Sequence, residues 1–225
     1  MSNSLVLSTH GASVEAISQA QAYANKDWAT IVAPTNRRPF GFDWEDWGRL
    51  DAMEVLGEAG KRFPHDPRRT VLTGHSMGGH GAWHLSTTFP DRFAAVGPSA
   101  GWVSFASYGS GYTLPENPTD SERIMARAVN AGNTLNQVRN LAPLGVYIVH
   151  GAADDNVPVT EARTMRDHLS AFHHGYTTTD LTMRMYNKLD RWSLHAARRI
   201  LTVCGPFAET LATYGIPRER ISVAH

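Results

Sequence analysis

The stretch RTVLTGHSMGGHGAW, Arg69–Trp83, decides how the chain is read. It opens as a strand-length run of β-branched and leucine residues and closes as a helix-compatible one, with a serine between two glycines at the junction. Gly74-His75-Ser76-Met77-Gly78 is therefore a G-x-S-x-G sequence in strand-turn-helix context. So tight a turn forces the serine into a strained backbone conformation, and glycines on both sides let neighbouring backbone approach. The hydroxyl is then presented at the sheet edge, with the unpaired N–H groups and positive end of the helix aimed at it. Negative charge forming on an attacked carbonyl is stabilised there, with the Met77 N–H as the expected first oxyanion donor. The plainer reading is a glycine-rich turn that only joins a strand to a helix. A phosphate loop fits poorly, because neither the Gly-Lys-Ser/Thr ending nor G-x-G-x-x-G spacing with a later ribose acid is present.

Outward from this turn, strand-like runs fall at residues 4–11, 29–35, 69–75, 93–101, 145–151 and 180–187. Helical patterns lie between them, most clearly Ala12–Ala24, Asp43–Lys61, Met77–Thr88, Pro158–Phe172, Ser193–Val203 and Pro206–Tyr214. Strands that alternate with helices and read as continuous apolar runs predict an α/β domain, a mostly parallel sheet with helices on both faces. One domain over residues 1–225 is expected, with 188–225 a divergent helical segment. The long irregular stretch Trp102–Thr119, rich in Gly, Ser, Tyr and Pro, is placed to cover a ligand site.

Lys+Arg and Asp+Glu are both 21, so no net field draws in nucleic acid or an anionic membrane. The expected partner is small and neutral. Cys204 is the single cysteine, which excludes an internal disulfide and a cysteine zinc cluster. No segment has membrane-span length and the N-terminus carries no signal-peptide pattern, so a cytoplasmic location is expected, or a secreted or periplasmic one if a leader precedes the chain.

A serine hydroxyl needs a base to take its proton and a carboxylate to orient that base. Asp154 follows the run 145–151, on the same sheet edge as Ser76. Asp154 and its neighbour Asp155 also read as a turn residue and a cap for the helix at Pro158, so one of the pair caps and the other faces the site.

The blocks GHSMGGHGAWHLSTTFPDRFAAVGPSAG and GVYIVHGAADDNVPVTEARTM resemble the catalytic domain of prolyl oligopeptidase-type serine hydrolases, a branch of the α/β-hydrolase superfamily that includes esterases. The resemblance implies that the acid is the first of the pair, Asp154, with Asn156, Val157 and Pro158 matching the pattern. It also implies that His10-Gly11-Ala12 forms the second oxyanion loop, through a backbone N–H of Gly11 or Ala12. Two early strands usual in that superfamily have no counterpart here. Nor has the family's Gly-His or Asp-His-Gly motif after the last strand. His195, in KLDRWSLHAARRI, is the expected base by its order after Ser76 and Asp154, although a helical His195 reads equally as an ordinary surface residue. His173 and His174 are runners-up.

His80 and His84 share a helix face at the spacing of a zinc pair, but no glutamate accompanies them and no third ligand is evident, so packing is expected and no metal or cofactor. Trp102, Phe105 and Tyr108 are the expected pocket aromatics; Trp44 and Trp47 read at least as well as helix packing. An uncharged cleft suits a neutral acyl ester, with a short peptide as the alternative substrate. If no histidine reaches Ser76, the fold is instead a catalytically impaired binding module.

Overall fold

The computed structural model describes residues 3–41, 43–110, 114–171, 200–202, 212 and 216–223. The chain divides into two compact units, Met1–Phe172 and His173–His225, within the span expected as one domain. The first holds five parallel strands, β1 (Ser4–Thr9), β2 (Ala29–Val32), β3 (Thr70–His75), β4 (Ala95–Ser99) and β5 (Gly145–Val146), in the order β2-β1-β3-β4-β5. Hydrogen bonding continues past β5, since Tyr147 N–H donates to Val96 O at 2.9 Å and Val149 N–H to Pro98 O at 3.0 Å. The 145–151 run therefore lies beside β4 for most of its length.

This order sets the site. From β1 the chain moves outward to β2, then returns to the other side of β1 for β3 and continues through β4 and β5. The carboxyl ends of β1 and β3 lie side by side, with Thr9 in register with Gly74, and their loops part in opposite directions. In an open α/β sheet the ligand crevice forms at such a reversal.

Both faces of β1 are covered: Leu5 and Leu7 are buried on one, Ser4 and Ser8 on the other. Helix α3 (Met77–Thr88) is buried at every residue from Met77 to Thr87, so it crosses the core as its central support. Its Trp83 and Leu85 join Leu72, Val96 and Leu56, the last from α2 (Asp46–Arg62), in one apolar cluster. Truncating such a Leu to Ala costs roughly 2–5 kcal/mol, and such a Trp about 3–5.

Several elements differ from their sequence pattern. Helix α1 is only Ala16–Gln21, because Ser13 takes a left-handed φ of 63° and turns the chain before the helix starts. Helix α2 begins at Asp46, not residue 43, since Asp43 and Trp44 also have positive φ and Trp44 is carried into the core. Helix α4 (Asp120–Val129) was not anticipated; the Thr119/Glu122 capping box that starts it is a local signal that was available. Helix α5 (Val159–Ser170) falls within the expected span.

In the second unit, β6 (Ile200–Thr202) pairs in parallel with β7 (Ile221–Val223). This corrects the helix expected over Ser193–Val203 at its C-terminal end, where pairing with a segment about twenty residues on overrides local helical period. The expected strand 180–187, most of the expected helix Pro206–Tyr214, and His173, His174 and His195 lie outside the described residues. No helix among the described residues is long and apolar enough to cross a membrane.

Candidate functional site

Ser76 stands between β3 and α3 with φ 57° and ψ −120°, a backbone conformation that costs a non-glycine residue about 1–3 kcal/mol. Its backbone is over-determined. The Ser76 N–H donates to Ser99 O at 2.9 Å, and its carbonyl accepts from Gly79 N–H at 2.8 Å and His80 N–H at 3.1 Å. A Cβ at Gly78 would run into the carbonyls of Thr9 and His10, and one at Gly74 into the Thr9 hydroxyl and Gly78 O. The Thr9 hydroxyl closes the joint by donating to Gly78 O at 2.7 Å. The G-x-S-x-G spacing is thus required because α3 is pressed against the end of β1.

Met77 opens α3, and as the first helical residue its N–H has no acceptor within the helix. Gly11 lies across from it, close enough that an added Cβ would sit 3.6 Å from Ser76 Cβ and 3.3 Å from His75 O. Ala12 follows on the exposed side of the turn. The loop is held from below by His10, which is fully buried with its ring nitrogens 2.9 Å from Gly11 O and 3.2 Å from Thr35 O. Trp44 donates its indole N–H to His10 O at 3.0 Å.

Asp154 occupies the turn between the fifth strand and α5. Its Oδ1 accepts from Asn156 N–H at 3.0 Å and Val157 N–H at 2.9 Å, while Oδ2 faces His150 Nε2 at 3.6 Å. Partial burial opposes the charge on this carboxylate, but the two backbone donors, with His150 and His75, outweigh it and hold the carboxyl below its usual range. His150 Nε2–H donates to Val157 O at 2.8 Å, so that ring braces the turn from inside. Tyr108 reaches across to donate to Asn156 Oδ1 at 3.1 Å, tying the aromatic loop to the Asp154 turn. His75, at the end of β3, places Nδ1 3.1 Å from Ser99 Oγ.

The three expected pocket aromatics divide. Trp102 is buried with both faces covered, by His80 at 5.4 Å and Tyr108 at 4.4 Å between ring centroids, so it packs as part of the loop's support. Phe105 is 59% exposed. Beyond it, Ser104, Ala106, Leu114, Ala126 and Val129 line a cavity of about 150 Å³.

The expectation that His80 has no acidic companion does not survive folding. Glu45 Oε1 lies 3.0 Å and Asp43 Oδ2 4.0 Å from His80 Nε2, both brought from the turn before α2. Neither was identifiable by spacing, because about 35 residues separate them from His80. Burial lifts the Asp43 carboxyl to about 7, though His80 opposes the shift. Burial also presses the neighbouring His84 imidazole down to about 4.

A parallel sheet with a strained serine at its reversal point, on a turn between the third strand and a buried helix, defines an α/β-hydrolase domain. Residues 36–201 match the prolyl oligopeptidase family. The chain belongs to that family. An uncharacterized secreted protein of Arthroderma benhamiae is 32% identical over 148 residues, covering 61% of this chain and 16% of its own length. Among solved structures, a puromycin-hydrolyzing peptidase of Mycobacterium tuberculosis is similar at 16% identity and TM-score 0.60, over 76% of this chain and 29% of that one. A thermostable esterase is similar at 19% identity and TM-score 0.54, over 76% of this chain and 44% of that one. The chain therefore spans less than half the length of these relatives.

Proposed function

We propose that this chain hydrolyses a carboxylic ester of a small neutral acyl group through an acyl-enzyme. Ser76 Oγ attacks the acyl carbon as His195 takes its proton. The Met77 N–H, with Gly11 or Ala12, holds the oxyanion while the same imidazole returns the proton to the departing alkoxide. Water then repeats the sequence and frees the acid. Asp154 orients the imidazole and stays ionised, which its lowered pKa favours. The strained φ of Ser76 carries the reading, because such strain persists at turns that present a reacting group.

The ester is preferred because the loop aromatics Phe105, exposed, and Tyr108, half-buried, are neutral, and a thermostable esterase shares the fold. A peptidase is the second reading, favoured by the family match and by the likeness to a puromycin-hydrolyzing peptidase.

A fluorophosphonate probe tests the nucleophile: labelling is expected at Ser76 and is lost in His195→Ala. Folded protein that takes no label would indicate a binding module. Relative turnover of p-nitrophenyl acetate and a proline p-nitroanilide then ranks ester against amide.

A further inference from the structure

We propose that Asp43, Glu45 and His80 form a binding site for one divalent transition-metal ion of the Zn²⁺ class, behind the nucleophile turn and separate from the catalytic residues. The ligand atoms of these three side chains lie within 4.8 Å of one another. His80 is fully buried, and its Nδ1 lies 3.1 Å from Trp102 O, a group that can only accept. That bond places the Nδ1 proton and turns Nε2 toward both carboxylates, the orientation in which imidazoles bind metals with a carbonyl behind them.

A proton alone does not satisfy this cluster. On Nε2 it serves Glu45 at 3.0 Å and leaves Asp43 at 4.0 Å, where both Asp43 oxygens are buried without a hydrogen-bond partner. One divalent cation meets all three ligands at once, and its two charges balance two carboxylates around a neutral imidazole. An imidazole nitrogen with two carboxylate oxygens suits Zn²⁺ or Mn²⁺ better than Ca²⁺. Ligand atoms about 2.0–2.2 Å from a tetrahedral ion stand roughly 3.3–3.6 Å apart, so Glu45 must open from His80 Nε2 and Asp43 draw in toward it, each by about half an ångström.

The surroundings are shaped for the carboxylates. Any side chain at Gly132 would occupy the place of the Glu45 carboxylate, and any at Gly81 would strike Trp44, the residue between the two acids. The ion would clamp this turn to α3 one helical turn beyond Ser76, whose carbonyl accepts the His80 N–H.

The test is titration of the purified, chelator-treated chain with Zn²⁺ by calorimetry and with Co²⁺ by visible absorption. One equivalent should bind with a dissociation constant in the micromolar range or tighter, give a Co²⁺ spectrum distinct from the aqueous ion, and raise the melting temperature. Asp43→Asn and Glu45→Gln, chosen as isosteric changes that leave the buried imidazole in place, should each weaken binding at least tenfold and remove the melting shift. Circular dichroism of each variant verifies folding. If wild type binds no stoichiometric ion, or both folded variants bind as tightly as it does, the cluster is a hydrogen-bonded imidazolium–carboxylate pair and the proposal is wrong. Fluorophosphonate labelling of Ser76 is read separately, so failure of one claim does not imply failure of the other.

Discussion

The turns that carry Ser76 and Asp154 close adjacent parts of one sheet edge by opposite means. Asp154 is satisfied locally: its own carboxylate accepts the N–H groups two and three residues on. Ser76 is held by remote groups, with Thr9 and His10 backbone against Gly78 and Ser99 O on its N–H. Asp154 can therefore be altered with little change to the fold, whereas the Ser76 turn exists only because the sheet and α3 press on it. Strain of the kind seen at Ser76 survives where packing supplies the restraint.

The largest effect that would sharpen this contrast comes from Gly78→Ala. The new Cβ runs into the backbone of Thr9 and His10, so a destabilisation of about 3 kcal/mol or more is expected in urea unfolding, together with loss of fluorophosphonate labelling. A folded, labelled variant of near wild-type stability would show that the joint is loose. At the other turn, Asp154→Asn should retain the midpoint of unfolding at pH 7 to within a small shift, yet reduce ester turnover by roughly 10³–10⁴-fold, as loss of an orienting carboxylate does in serine hydrolases generally.

The acid limb of stability separates the turns further. Because the folded Asp154 carboxyl is held low, its contribution is fully present above the ordinary carboxylate value of ~3.9 and is lost as pH falls through the folded value. Wild type should lose stability relative to Asp154→Asn over that acid range, and parallel curves would remove the assignment. Ser76→Gly gives the strain directly: about 1 kcal/mol of added stability is expected with complete loss of labelling, and no gain would mean the φ of 57° costs nothing here. Smallest is Tyr108→Phe, which removes the bond to Asn156 and should cost about 0.5–1.5 kcal/mol, with a few-fold fall in kcat/KM if the aromatic loop steadies the acid.

Legibility followed the range of the forces involved. Helix α3 begins and ends where its pattern placed it, and β3 begins one residue late, because the period changes sharply at a glycine-bounded serine. Trp102 was read as a pocket wall because aromatic residues in a loop look available; the stack of His80, Trp102 and Tyr108 that buries it joins α3 to two points of that loop. Asp43 and Glu45 looked like the start of a helix, and no spacing rule links them to His80.

The amino-acid order alone determined that strands and helices alternate, that the sheet is parallel, and that Ser76 sits on a tight turn, since each rests on neighbours within a few residues. Tertiary structure alone decided what surrounds that turn: Gly11 beside Ser76, His150 behind Asp154, and two carboxylates converging on His80. Those placements depend on strand order and close backbone approach, and such forces act between residues that the chain brings together only when the core is dry and packed.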